Sequence, residues 1–112
     1  MAGTIKRLAG PLALTTTYTT NLFNDTNTNV FSVIRHIHIA NITAGAVSFR
    51  MYLGATGANT AGTELWYGQS IAANDDFDWY GVLRLDSTDF LVGGASANTS
   101  LTITVEGDRQ VV

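Results

Sequence analysis

The chain of 112 residues contains no cysteine, which excludes a disulfide framework and a thiolate metal site and fits folding in a reducing cytosol. Proline occurs once, at Pro11, so the turns must rest on Gly, Asn and Asp. Charge is scarce: 13% of the residues are charged, against about a quarter in ordinary globular chains. The few that exist, six basic against nine acidic, form no basic stripe, which argues against a nucleic-acid partner. No apolar run is long enough for a membrane helix, so no membrane partner is expected. The opening "MAGTIKRLAGPLAL" sets Lys6 and Arg7 before a short, broken apolar run. It lacks the long apolar segment of a signal peptide and reads as mature protein. Also missing is any window with a sustained apolar period of 3.6 residues.

Hydrophobic residues nevertheless make up 46% of the chain, enough for one core in one domain. The polar remainder is mostly Thr, Asn, Ser and Gly. Such a surface suits either a Thr-rich β face in water or a face that lies against another subunit. Val, Ile, Thr and aromatic residues fall in short runs separated by Gly, Asn and Asp, the pattern of strands and turns.

Residues Thr4 to Leu14 read as a weak strand or an extended arm, broken at Gly10-Pro11, and Asn24 to Asn29 as a loop. Val30 to Ile42 is the strongest strand. Strict alternation puts Phe31, Val33, Ile37 and Ile39 on one face with Arg35, and Ile34, His36, His38, Ala40 and Ile42 on the other. The turn at Thr43-Ala44-Gly45 leads into Val47 to Leu53, and the two strands read as a hairpin. "GATGANTAGTE" is a loop of small residues; it lacks the Gly-Lys-Ser/Thr ending of a phosphate-binding loop. "ELWYGQSI" puts Leu65, Tyr67 and Ile71 in register, and the turn "AANDD" precedes "FDWYGVLRL". There Phe77, Trp79, Gly81, Leu83 and Leu85 alternate with Asp78, Tyr80, Val82 and Arg84. A short strand around Phe90 to Val92 precedes the last one, where Leu101, Ile103 and Val105 give the cleanest period of two. Seven or eight short strands without a crossover helix predict an all-β fold: a single antiparallel β-sandwich, jelly-roll-like. Residues 1–29 form an extended N-terminal arm with the first weak strands, and residues 30–112 form the sandwich core.

Both histidines, His36 and His38, sit in "IRHIHIAN" and point to one face of their strand. A zinc or iron site needs at least a third protein ligand. No third histidine and no cysteine exists, so a carboxylate such as Asp75, Asp76, Asp78 or Glu64 would have to supply it. Cupin jelly rolls also start from His-x-His, but they continue with a Glu a few residues on and a second histidine motif. Ile42 and Thr43 stand where that Glu belongs, so the pattern fails and the sequence assigns no metal ligand and no cofactor. The acidic group Asp75, Asp76 and Asp78 lacks the spacing of a twelve-residue calcium loop and suits a turn that caps its own backbone. No serine lies in Gly-x-Ser-x-Gly, and no motif surrounds the histidines, so no catalytic residue is assigned and no enzyme is expected. "LWY" and "DWY" place Trp66 beside Tyr67 and Trp79 beside Tyr80. Consecutive strand residues face opposite ways, so one of each pair fills the core and the other lies outside as a contact surface for protein or sugar.

From about Arg35 to Val105 the chain resembles small β-sandwich virion proteins of tailed bacteriophages. The likeness lies in "RHIHIANITAGAVSFRMYLGATG", "AGTELWY", "SIAANDDFDWYGVLRLDSTDFL" and "GGASANTSLTITVEG". The resemblance implies a structural role in the virion, made in the host cytoplasm. Capsid decoration is the first reading, with the major capsid protein as partner; a neck, tail or head-tail joining protein is the alternative. A carbohydrate-binding module on Trp66, Trp79 and the nearby tyrosines is a reading of a different class. Three-fold shell positions together with the low charge imply a homotrimer. The expected interface residues are His36, His38, Trp66, Tyr67, Trp79, Tyr80, Lys6 and Arg7, with the histidines as a pH-sensitive element. Deletion of Met1 to Gly10 is then expected to leave a folded protein that fails to bind the particle. Unfolding of that truncated chain would mark the segment as a core strand.

Overall fold

Among the described residues, alternation of apolar with Thr, Ser and charged residues makes eight strands, joined by turns rich in Gly, Asn and Asp. The computed structural model describes residues 4–25, 27–54, 59 and 61–111. The strands are β1 (Thr4–Ala13), β2 (Asn21–Phe23), β3 (Val30–Asn41), β4 (Val47–Gly54), β5 (Glu64–Ile71), β6 (Asp76–Leu85), β7 (Phe90–Ala95) and β8 (Leu101–Val111). Met1 to Gly3 of the expected arm, Thr26 of the Asn24 to Asn29 loop, and residues 55–58 and 60 of the expected loop after Gly54 lie outside the described residues.

Two four-stranded sheets form, in the orders β1-β8-β3-β6 and β2-β7-β4-β5, and every pairing is antiparallel. Only β4 and β5 are joined within one sheet; each other connection crosses to the opposite sheet. This is the antiparallel sandwich expected, in jelly-roll order. Ile37, Ile39, Ile103 and Val105 from one sheet and Phe49, Met51 and Leu91 from the other are buried between them.

Two expectations about local structure are corrected. The strands β3 and β4 are not a hairpin: both edges of β3 are occupied by β6 and β8, and β4 lies between β5 and β7. The turn after Asn41 therefore bridges the two sheets. Of the two readings of Thr4 to Leu14, strand or extended arm, the strand holds: β1 pairs with β8 along Thr4 to Ala13. Ala9 and Leu14 are buried there, and Leu8 and Leu12 pack against the core. The break at Gly10-Pro11 is a register shift inside β1. Gly10 has φ 76°, and a side chain there would run into the carbonyl oxygen of Ile103. Proline is tolerated because β1 is an edge strand.

The second correction concerns the faces of β3. Val30, Ser32 and Ile34 point inward, and so do Ile37, Ile39 and Asn41. The phase changes at a register shift between Ile34 and His36, present against both β6 and β8. Arg35 and His36 consequently both lie outside, Ile34 joins the core, and Phe31 and Val33 leave the inner face. A bulge of this kind inserts an odd residue into the alternation. It also resolves the awkward position of Arg35 on an apolar face: the side chain turns outward to an ion pair with Asp108 at 3.0 Å. Gly107 sits opposite Ile34 at the shift, where a methyl group would strike the Val33 carbonyl oxygen.

Candidate functional site

Past the bulge, alternation carries His36 and His38 to the outer face of the first sheet, while Ile37 and Ile39 stay inside. The neighbouring strands supply carboxylates to that face. On β6, Asp78 is the register partner of His38; on β8, Glu106 is the partner of His36. One Asp78 oxygen, Oδ1, lies 2.7 Å from His36 Nε2 and 2.7 Å from His38 Nδ1. The other His36 nitrogen, Nδ1, lies 3.3 Å from Glu106 Oε1. Tyr80 stacks on the His36 ring at 4.4 Å between centroids and 1° between planes. Of the four carboxylates weighed as a third partner for the histidine pair, Asp78 is the one that stands beside both rings. One potential ligand atom from each of His36, His38 and Asp78 lies within 4.8 Å of the other two.

Both His36 nitrogens face carboxylate oxygens, so both are satisfied only when the ring is an imidazolium that donates twice. The Asp78 hydrogen bond raises the His36 pKa above 6.5 against a smaller opposing effect of burial, and Glu106 adds to the rise. The same bonds, from His36 first and then His38, hold the Asp78 carboxyl below its ordinary 3.8. The His36 contribution to stability is full below its ordinary value and is lost as pH rises through the raised folded value. The Asp78 contribution is full above its ordinary value and is lost as pH falls through the lowered one. The two therefore act together between about pH 4 and 6.5. In chelator-treated protein, a nuclear magnetic resonance titration of His36 is expected to give a midpoint above 6.5. Asp78→Asn is expected to lower that midpoint; an unchanged one would show that the carboxylate does not set it.

The aromatic pairs divide as expected: the tryptophans pack against the core and the tyrosines lie outside. Trp66 and Trp79 are half-buried, pack against the core and meet edge to face at 5.9 Å. Trp66 also meets Phe77 edge to face at 5.7 Å. The inward partner on β5 is Trp66 rather than Tyr67, because register shifts at Gly68 and Leu65 interrupt the alternation. Tyr67 and Tyr80 are 64% and 72% exposed, but each already has a ring face covered, by Arg50 and by His36.

Arg50 lies between the rings of Tyr18 and Tyr67, and a cleft of about 270 Å³ opens beside it toward Glu64. That volume falls just below the range usual for small-molecule sites, about 300–1,000 Å³. Lys6 and Arg7 are exposed on β1, at the opposite edge of the sheet from β6. Of the expected contact residues, the fold brings His36, His38 and Tyr80 together on the outer face of the first sheet, and Trp66 and Trp79 together against the core. Glu106 was missed, although its outward direction is legible from its alternation with Val105; its closeness to His36 follows only from the β3·β8 register.

No protein-family model and no curated protein matches the sequence. Among solved structures, the chain is similar to one in the structure of infectious bursal disease virus, Gx strain, at 9% identity and a TM-score of 0.48 over 98% of this chain and 32% of that one. A chain of the Gt strain gives 12% identity and 0.43 over 96% and 28%. The Eiger tumour necrosis factor of S. frugiperda gives 13% and 0.41 over 98% and 86%. This chain spans about a third of the length of the viral chains.

Proposed function

We propose that the chain is a structural virion protein, not an enzyme: a capsid decoration module that binds the outside of a phage head and reinforces it through β contacts. Its homo-oligomer is a trimer, and its partner is the major capsid protein. The observation that carries this reading is the contrast between the two edges of the first sheet. Edge strands present unpaired backbone groups and are ordinarily guarded by charge, proline or cover. At one edge, β1 is guarded by Lys6, Arg7 and Pro11. At the other, β6 keeps its charges near its ends, at Asp76, Asp78 and Arg84, and its middle is uncharged. That middle exposes Tyr80 and Val82 at 72% and 69%. An uncharged strand edge flanked by an aromatic and a β-branched side chain suits strand addition by a neighbour, with little charge to desolvate. The sequence resemblance to phage virion proteins points the same way.

Native mass spectrometry of the pure protein is expected to give a trimer, and the protein should bind undecorated phage heads saturably. Val82→Lys would give β6 the kind of guard that β1 carries, and it is expected to weaken association by about 30-fold or more, the effect of losing one central interface contact. A protein that stays monomeric at high concentration and leaves phage heads bare would overturn the proposal.

A further inference from the structure

We propose that His36, His38 and Asp78 form a binding site for a divalent transition metal ion of the zinc class on the outer face of the β3–β6 pair. One ligand atom from each residue lies within 4.8 Å of the other two, and His36 Nε2 and His38 Nδ1 each stand 2.7 Å from Asp78 Oδ1. Around an ion with bonds of about 2.0–2.2 Å, tetrahedral ligand atoms stand about 3.4 Å apart. Closing the set onto an ion therefore needs side-chain adjustment only, on the order of 1 Å.

Four observations beyond proximity point to a metal. The donor types are selective: two imidazoles with one carboxylate suit zinc, copper, nickel or ferrous iron, whereas calcium and magnesium prefer oxygen throughout. The frame is stiff, since His38 and Asp78 are register partners and β3 is held on both sides. His36 has the outer partner that a metal-bound histidine usually has. With Nε2 on the ion, its Nδ1–H would donate to Glu106, which is already 3.3 Å away, and Tyr80 fixes the ring plane by stacking. Charge also matches: with neutral imidazoles, Asp78 and Glu106 leave two negative charges beside the ion.

Binding would exchange the present hydrogen bonds between the rings and Asp78 for metal bonds and release the protons that occupy the two ring nitrogens. Three protein ligands leave a fourth position open to water. The side chains of His36, His38 and Asp78 are 23%, 37% and 32% exposed, so solvent reaches the cluster. The inference stands apart from the virion reading and needs no assembly partner.

The test is calorimetric titration of the full, chelator-treated chain with zinc chloride, repeated with calcium chloride. One zinc per chain is expected, with a dissociation constant of about 10 μM or tighter, together with a rise in melting temperature and no comparable binding of calcium. His38→Ala and Asp78→Asn are expected to weaken binding by about 100-fold, and Glu106→Gln by about 10-fold, as loss of an outer partner does. Circular dichroism checks that the variants fold. In the unmodified chain, zinc should shift the ring resonances of both histidines, a readout that needs no variant. Zinc that binds only in the millimolar range, leaves those resonances in place, binds as tightly to the folded variants, or is matched by calcium would overturn the proposal.

Discussion

Removal of Met1 to Gly10 is expected to unfold the protein rather than release an arm from an intact sandwich. The deletion takes most of β1 and with it the paired flank of β8, which is register-matched from Thr4 against Arg109 to Ala9 against Val105. It uncovers the core where Ala9 is buried and Leu8 packs. Burying large aliphatic side chains contributes roughly 1.5–3 kcal/mol each, and the whole domain is stable by only about 5–15 kcal/mol. The loss also bares the edge of β8 from Val105 to Arg109. That edge lies beside Leu101, Ile103 and Val105, the most regular apolar run in the chain, so self-association of the truncated chain should follow. Thermal and urea unfolding followed by circular dichroism are expected to show no cooperative transition for the deletion. A sharp transition within about 5 °C of the intact chain, a shift worth roughly 1 kcal/mol for a domain of this size, would return the segment to the role of an arm.

That reversal shows what periodicity conveys and what it omits. Period two reports which way a side chain points, and it does so correctly along β6 and β8, where the alternation of faces continues unbroken. It failed along β3 because the bulge at Arg35 exchanges the two faces, and along β5 because of the shifts at Gly68 and Leu65. A turn signal such as Thr43-Ala44-Gly45 marks a change of direction but not whether the chain returns to the same sheet or crosses to the other. The β3–β4 pair therefore has the local sequence of a hairpin although its strands lie in different sheets. Likewise, Thr4 to Leu14 shows little alternation because an edge strand containing Gly10-Pro11 buries only some of its residues. The histidine cluster was half legible. Two histidines two apart on a strand share a face by geometry alone. Their carboxylates are Asp78, 40 residues beyond His38, and Glu106, 70 beyond His36, and only strand register joins them. Local sequence holds the alternation, whereas register is settled by packing of the whole sandwich.

The second large effect is expected at Asn41, where the crossing that the turn signal concealed is secured. Its side chain is buried, with the residue 3% exposed, at the end of β3. Its Nδ2 donates toward the carbonyls of Gly45, Ile71 and Ala72 at 2.9, 3.0 and 3.2 Å, and its Oδ1 accepts from the Thr43 amide and hydroxyl at 2.9 and 2.7 Å. Gly45 belongs to the β3–β4 crossing, and Ile71 and Ala72 to the β5–β6 crossing. One amide thus fastens two inter-sheet connections at the same end of the sandwich. Asn41→Ala leaves several of those groups without partners, at about 1–3 kcal/mol each where water cannot reach them. A total loss of about 3 kcal/mol is expected, which lowers the melting temperature by about 10–20 °C. Asn41→Asp separates hydrogen bonding from packing. It keeps the shape and the acceptor for Thr43, but turns a carboxylate oxygen toward three carbonyl oxygens. At neutral pH it should be at least as destabilised as the alanine variant, and it should recover part of the loss as pH falls and the new carboxyl regains a proton to donate. The comparison is the urea midpoint at constant slope for both variants at pH 7 and at pH 4–5. Losses below 1 kcal/mol in both, or an Asp variant that gains nothing relative to Ala on acidification, would mean that packing rather than the amide holds the two crossings together.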